Sequence, residues 1–283
     1  MPRFGAHAFV WIGDWTPESG DAAIAAAAAA GFDFLEIPLL HPDRFDAERH
    51  RAALRDAGIG ATCSLGLPAP AHAPAHPEKA VAFLTSALDQ VEAVGAEVLC
   101  GCLAYTLGHL TGAPPTDAER RTAEQVLATV AADAERRGIH LALEAVNRYE
   151  TYLYNTLADT RDAVRRVASP VLGVHGDTYH MNIEEEGFRR PLLDVADQLT
   201  YLHMSESHRG LVGTGTVAWD EVWSTLARIG YRGRLVLESF SAINPDLAAA
   251  TCLWRPPNQP PEVLARDGLA FLREGARRAG LDD

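Results

Sequence analysis

The chain is almost devoid of lysine: Lys79 stands alone against 24 arginines in 283 residues. It follows His76-Pro77-Glu78 at what reads as a helix start, not a strand end. A Schiff-base aldolase or decarboxylase needs a desolvated lysine in its site, and none is offered. Positive charge is short overall, with a formal net charge of −13. That balance argues against nucleic acid and against anionic membrane surfaces, both of which select basic patches. It leaves a small neutral substrate or a metal cation open. Cysteine is scarce as well. Cys63, Cys100, Cys102 and Cys252 are too few and too scattered for a disulfide framework, and Cys100-Gly-Cys102 is not a CxxC. All four are expected as reduced core residues of a cytoplasmic protein. Met1-Pro2-Arg3-Phe4 enters a strand directly without the pattern of a signal peptide, in line with that expectation. The apolar tract Ala22–Ala30 falls short of the roughly 20 residues of a membrane span. It reads instead as a small-residue helix packed closely on a sheet.

What is present is an ordinary globular composition, 47% hydrophobic and 22% charged. Short aliphatic and β-branched runs alternate with longer helical stretches. The strand expectations are Phe4–Val10, Phe34–Ile37, Gly60–Leu65, Glu97–Cys102, Ile139–Leu143, Val171–His175, Thr200–His203 and Arg234–Leu237. Helical patterns such as Pro77–Val94 and Thr116–Arg137 lie between them, and Gly31, Gly58, Gly95, Gly138 and Gly230 punctuate the returns as C-caps do. Eight strand–helix units predict a parallel (β/α)8 barrel, a TIM barrel, which typically takes about 250 residues. No glycine-rich fingerprint follows Val10, as an open doubly wound sheet would often carry, and no linker divides the chain. Residues 1–283 are therefore expected to form one domain. Pro68–Pro77 and Ser239–Pro261 fall after strands, where such barrels build their catalytic face.

Four metal-capable side chains end four successive strands: Glu144, Asp177, His203 and Glu238, at intervals of 33, 26 and 35 residues. Singly, each has an ordinary explanation as a helix cap, a salt-bridge partner or a core histidine. Together they would place three carboxylates on one rim, and that cluster is costly unless a cation removes the repulsion. Three carboxylates and one imidazole make a hard site that suits Mn2+, Co2+ or Mg2+ better than structural zinc. Asn147, Asn182 and Glu206 read as supports for the site, and Arg209 as a fixed donor to substrate oxygens. Gly213-Thr-Gly215, with no lysine nearby, reads as a turn and not a phosphate cradle.

The runs Leu143-Glu-Ala-Val-Asn-Arg-Tyr-Glu150 and Gly176-Asp-Thr-Tyr-His-Met-Asn-Ile-Glu-Glu185 resemble the ketose 3-epimerases. These are the D-tagatose, D-allulose (psicose) and L-ribulose 3-epimerases of the xylose-isomerase-like barrel group. Ser205-Glu-Ser-His-Arg-Gly210, Glu238-Ser-Phe-Ser241 and Leu253-Trp-Arg255 point to the L-ribulose/D-allulose branch, and Phe4-Gly-Ala-His-Ala-Phe-Val-Trp11 fits the first strand. Met204 and the proline-rich run after Arg255 depart from the pattern. The resemblance implies metal ligands at Glu144, Asp177, His203 and Glu238, with the acid/base pair at Glu144 and Glu238. It implies substrate contacts at Glu150, His180 and Arg209: His180 and Glu150 near the O1 end of the sugar, Arg209 on O2. His7 is placed among the pocket residues, with a plain core histidine as its alternative.

The chemistry so implied is inversion at C3 of a free ketose. The cation acts as a Lewis acid on O2 and O3, and one carboxylate on each face moves a proton through an enediolate. Mn2+ is the first expectation, with Co2+ or Mg2+ as alternatives, and relatives suggest a homodimer or homotetramer. The competing enzyme reading is an aldose–ketose isomerase of hydroxypyruvate- or rhamnose-isomerase type on the same barrel. An apurinic-site endonuclease would need extra His and Asp ligands and a basic groove. A silent sugar-binding barrel would not need the intact pair Glu144 and Glu238.

Overall fold

The computed structural model describes residues 2–281. Eight parallel strands close into a barrel in chain order: β1 (Arg3–His7), β2 (Phe34–Pro38), β3 (Gly60–Gly66), β4 (Val98–Cys102), β5 (His140–Glu144), β6 (Leu172–Asp177), β7 (Leu199–Met204) and β8 (Arg234–Leu237). The helices are α1 (Pro17–Ala30), α2 (Ala47–Ala57), α3 (Pro77–Val94), α4 (Asp117–Arg137), α5 (Leu157–Val167), α6 (Thr178–Glu184), α7 (Arg189–Asp194), α8 (Trp219–Arg228), α9 (Pro245–Thr251) and α10 (Pro261–Arg278). The chain is a (β/α)8 barrel, as its alternating pattern predicted. Among the described residues no helix is long and apolar enough to cross a membrane.

Local chemistry explains where the elements start and stop. Thr16 and Thr116 form capping boxes with Ser19 and Glu119, each worth about 1 kcal/mol of helix stability. Gly31, Gly58, Gly95 and Gly138 close α1 to α4 in the left-handed region, where a side chain would be strained. The alanine-rich tract is the second half of α1, and its small side chains Ala23 and Ala27 are fully buried. β1 is shorter than the pattern suggested. His7 Nδ1 accepts the Phe9 N–H at 3.1 Å and turns Ala8–Val10 into a 3-10 turn. Cysteine also needs a correction. All four thiols are free and Cys63, Cys100 and Cys102 are buried, but Cys252 is exposed. It follows the last turn of α9 in a left-handed C-cap, outside any packed layer.

Most of the core lies between the barrel and its helices. A smaller cluster of Phe34, Val98, Cys100, Ala142, Tyr201 and Val236 fills part of the barrel interior. At the carboxyl ends of the strands, parallel pairing sets Glu144 beside His175 and Asp177 beside His203. The register shifts between Val174 and His175.

Candidate active site

The carboxyl ends of the strands surround a cavity of about 390 Å3, within the size range of small-molecule sites. Of the eight residues given metal, proton-transfer or substrate roles from the sequence, seven line it: His7, Glu144, Glu150, His180, His203, Arg209 and Glu238. The eighth, Asp177, is fully buried beside them. Its Oδ1 caps α6 by accepting the Tyr179 N–H at 2.7 Å, while Oδ2 faces the site and accepts from Arg209 Nη1 at 2.8 Å.

His203 Nδ1 is the point on which the acids converge. It lies 3.3 Å from Glu238 Oε1, 3.9 Å from Glu144 Oε1 and 4.0 Å from Asp177 Oδ2. Yet it is buried and has no aligned hydrogen-bond partner among the described residues. Ligand atoms of Asp177, His203 and Glu238 all fall within 4.8 Å of one another, as do those of Glu144, Asp177 and His180. A buried ring nitrogen facing three carboxylates is a donor set that fits a hard divalent cation, so the chain carries a candidate metal site.

Protein groups alone pull these acids in opposite directions. Burial raises the Glu144 carboxyl well above its ordinary range, and the nearby Asp177 and Glu238 charges reinforce it. Burial likewise lifts Asp177 to about 6. Glu238 is buried too, but Arg209 and His203 outweigh that effect and hold it well below the ordinary range. Glu150 is raised to about 7, chiefly by burial.

Arg209 is held by its surroundings. Nη1 donates to Asp177 Oδ2 at 2.8 Å, to Ser205 Oγ at 3.2 Å and to Glu238 Oε2. Its guanidinium stacks 3.8 Å above the Tyr179 ring, and its backbone sits at φ 59°, a strained value for a residue with a side chain. The Ser239 hydroxyl, which donates to the Arg209 carbonyl at 2.7 Å, helps fix that turn. Arg209 Nε is buried without a partner among the described residues.

His180 is oriented by Asn147, whose backbone N–H donates to Nδ1 at 3.2 Å and whose side-chain amide donates to Glu150 Oε1 at 2.7 Å. With Nδ1 accepting, neutral His180 carries its proton on Nε2, 3.1 Å from Arg209 Nη2. Two donors then face each other, and one oxygen beside them, accepting from both, would satisfy them.

The other polar residues divide. Glu206 organises the loop after β7 by accepting from the N–H groups of Ser207, Gly213 and Val217 and from Trp219 Nε1. Gly213–Gly215 is thus a turn wrapped on a carboxylate. A Cβ at Gly215 would meet Glu206 Oε1 at 2.5 Å. Asn182 lies away from the centre and donates to Thr216 at the surface.

Several site residues escaped the sequence reading. Glu36 is fully buried on β2 and accepts from His203 Nε2 at 2.9 Å and from the Tyr201 hydroxyl at 2.6 Å. His175 lies beneath Glu144, its Nδ1 3.8 Å from Glu144 Oε2. Ser64 Oγ lies 3.3 Å from His7 Nε2 on the cavity wall. The only signal for Glu36 was a carboxylate inside the apolar run Phe34-Leu-Glu-Ile-Pro38.

Residues 24–275 match the family model described as the xylose isomerase-like TIM barrel. The chain is 39% identical over 282 residues to an L-ribulose 3-epimerase of Methylomonas sp. (strain DH-1), covering 96% of this chain and 97% of that protein. It is 37% identical over 278 residues to a ketose 3-epimerase of Arthrobacter globiformis, covering 96% of each. A crystal structure of a D-allulose 3-epimerase from Methylomonas sp. in complex with D-allulose superposes with a TM-score of 0.93, at 37% identity and 96% coverage of each chain.

Proposed function

We propose, for a chain that belongs to the xylose isomerase-like TIM barrel family and within it to the ketose 3-epimerases, that it inverts C3 of free ketoses by two-base proton transfer. The chain is an enzyme, a carbohydrate epimerase of the isomerase class. Its substrates are pairs of the D-fructose/D-allulose, L-ribulose/L-xylulose and D-tagatose/D-sorbose type. The observation that carries the reading is the pair Glu144 and Glu238. They reach the cavity from β5 and from the end of β8, and their carboxylates flank the same His203 nitrogen at 3.9 and 3.3 Å.

The pair is also divided in charge. Burial favours the protonated form of Glu144, while Arg209 and His203 keep Glu238 ionised. Among the protein groups alone, this division makes Glu144 the ready acid and Glu238 the ready base. Glu238 takes the proton from C3 as the electron pair left behind moves toward the C2 carbonyl. Glu144 returns a proton to the opposite face of C3, and the reverse reaction exchanges the roles. A divalent cation, Mn2+ in the first place, would be held by Glu144, Asp177, His203 and Glu238 and would supply Lewis-acid stabilisation of the developing oxyanion. His180 and Glu150 orient the O1 end of the sugar, Arg209 holds O2, and His7 lines the pocket. The proposal extends to one domain over residues 1–283, a homodimer or homotetramer, and a cytoplasmic location. With one lysine in the chain and Glu206 occupying the amides of the Gly213 turn, free ketoses are expected to be used far better than their phosphates.

Turnover in heavy water tests the mechanism. Deuterium should enter C3 of the product and little should enter C1. Label mainly at C1, or an aldose as the dominant product on chromatography, would move the protein to the aldose–ketose isomerases.

A further inference from the structure

We infer that Glu36 is a positioning residue for the metal site: it anchors His203 through Nε2, so that only Nδ1 is presented to a cation. The inference rests on the metal reading above and adds a residue to it from the opposite part of the barrel wall.

Glu36 lies on β2, and its carboxylate reaches through the barrel interior to side chains on β7. Its Oε2 accepts from His203 Nε2 at 2.9 Å and from Tyr201 Oη at 2.6 Å. Tyr201 Oη is in turn 2.7 Å from Thr62 Oγ1 on β3. The directions in this chain are determined. An ionised carboxylate only accepts, so the tyrosine must donate to it, and the threonine must donate to the tyrosine. The histidine proton on Nε2 is then committed to Glu36, so Nδ1 is the ring nitrogen left facing Glu144, Asp177 and Glu238, and a cation bound there would take the place of any proton those carboxylates hold on it. A carboxylate that orients a metal-binding imidazole through its far nitrogen is a recurring device, and its loss typically costs 10–100-fold in metal affinity.

Stability alone does not account for Glu36. A carboxylate buried in an apolar barrel brings a desolvation penalty, and well-packed apolar residues often replace buried ion pairs without loss. Its other oxygen, Oε1, has no hydrogen-bond partner among the described residues and stands 3.5 Å from His7 Nε2. A charge kept in such a place serves the ligand beside it.

The test is Mn2+ titration calorimetry on the full-length, metal-stripped protein, with the visible spectrum of the Co2+ form as a second reading. Wild type should bind Mn2+ at a site that Asp177→Ala removes. Failure there would overturn the metal reading itself. Given that site, Glu36→Gln should weaken Mn2+ binding about 10–100-fold and alter the Co2+ spectrum. Glu36→Leu, with no acceptor, should weaken it further, and Tyr201→Phe, which removes one hydroxyl, less. A Glu36→Gln protein that binds Mn2+ like wild type with an unchanged Co2+ spectrum would overturn the inference. If both Glu36 variants fail to fold, Tyr201→Phe decides by the same readings: wild-type affinity and spectrum overturn it, and weakened affinity with an altered spectrum supports it.

Discussion

The two halves of the barrel rim are built differently. From β5 round to β8 the strand ends carry Glu144, Asp177, His203 and Glu238, all buried, with the three carboxylates within 4.0 Å of His203 Nδ1. From β1 to β4 the corresponding rim carries His7, Ser64, Gly66, Gly101 and Cys102; Glu36 is the one carboxylate on these four strands, and Asp14 lines the cavity from the loop after β1. One half concentrates charge and the other provides room. The difference fits the proposed reading, in which one cavity holds a cation and still admits a sugar. The electrostatic cost is gathered where a metal can cancel it, and the volume is opened where side chains are small.

The sharpest way to break this comparison is to remove the charged half's function. Glu144→Gln and Glu238→Gln each keep an oxygen for a metal but lose the proton-transfer group. Each should lower kcat for epimerisation by about 10²–10⁴-fold. Wild-type-like turnover by Glu238→Gln would remove it from the pair. A single variant that still exchanges the C3 hydrogen of one epimer without inverting it would sharpen the assignment of faces. Stripping divalent ions with a chelator should abolish turnover and lower the melting temperature, because the cation binds only the folded rim. Mn2+ or Co2+ should restore both, and full activity after verified removal would refute the site.

This contrast also explains what could be read beforehand. Glu144, Asp177, His203 and Glu238 were legible because each ends an apolar run and the runs recur at one strand–helix unit apart. Helix boundaries were legible where glycine caps and threonine boxes mark them, as at Thr116 and Gly138. Glu36, Tyr201 and Thr62 were not, because a polar residue inside an apolar strand gives no sign of which partner meets it across the barrel. The end of β1 at His7 was missed for a similar reason, since a side-chain cap on Phe9 overrides an unbroken apolar pattern.

A further prediction addresses the small-residue half. Gly101 on β4 sits at φ 102°, and a Cβ there would lie 2.5 Å from the Leu65 carbonyl oxygen. Gly101→Ala combines an unfavourable backbone with a contact to rigid main chain, so it should cost roughly 2–4 kcal/mol on thermal or urea unfolding. A control such as Gly112→Ala also has positive φ, 77°, but nothing within 4 Å, so it should cost only the backbone part. Equal losses in the two variants would show that close packing of β3 and β4 does not set the shape of the cavity wall.

The smallest expected effect concerns how that half is held. His72, after β3, accepts the Thr106 N–H at Nδ1 at 3.2 Å, and Thr106 and Leu107 line the cavity. Its Nε2 lies 3.4 Å from the Tyr152 hydroxyl, which donates to Glu119 at 2.8 Å. Burial first, and then the His109 ring tilted against it with centroids 4.2 Å apart, lower its pKa to about 4; Glu119 opposes this and His76 adds to it. The folded state therefore binds the His72 proton more weakly than the unfolded chain, whose histidine titrates near 6.5. The stability this contributes is fully present above pH 6.5 and is lost as pH falls from there toward 4. Allowing for partial solvent screening, the loss should be on the order of 1–2 kcal/mol. Acid also protonates the carboxylates of the charged half, so the wild-type curve alone cannot isolate it. His72→Asn can keep an acceptor for Thr106 without a titrating ring. The difference in unfolding free energy between wild type and His72→Asn should therefore shrink or reverse between pH 6.5 and 4. A difference that stays constant over that range would mean that the roomy half of the rim is not held by a neutral histidine.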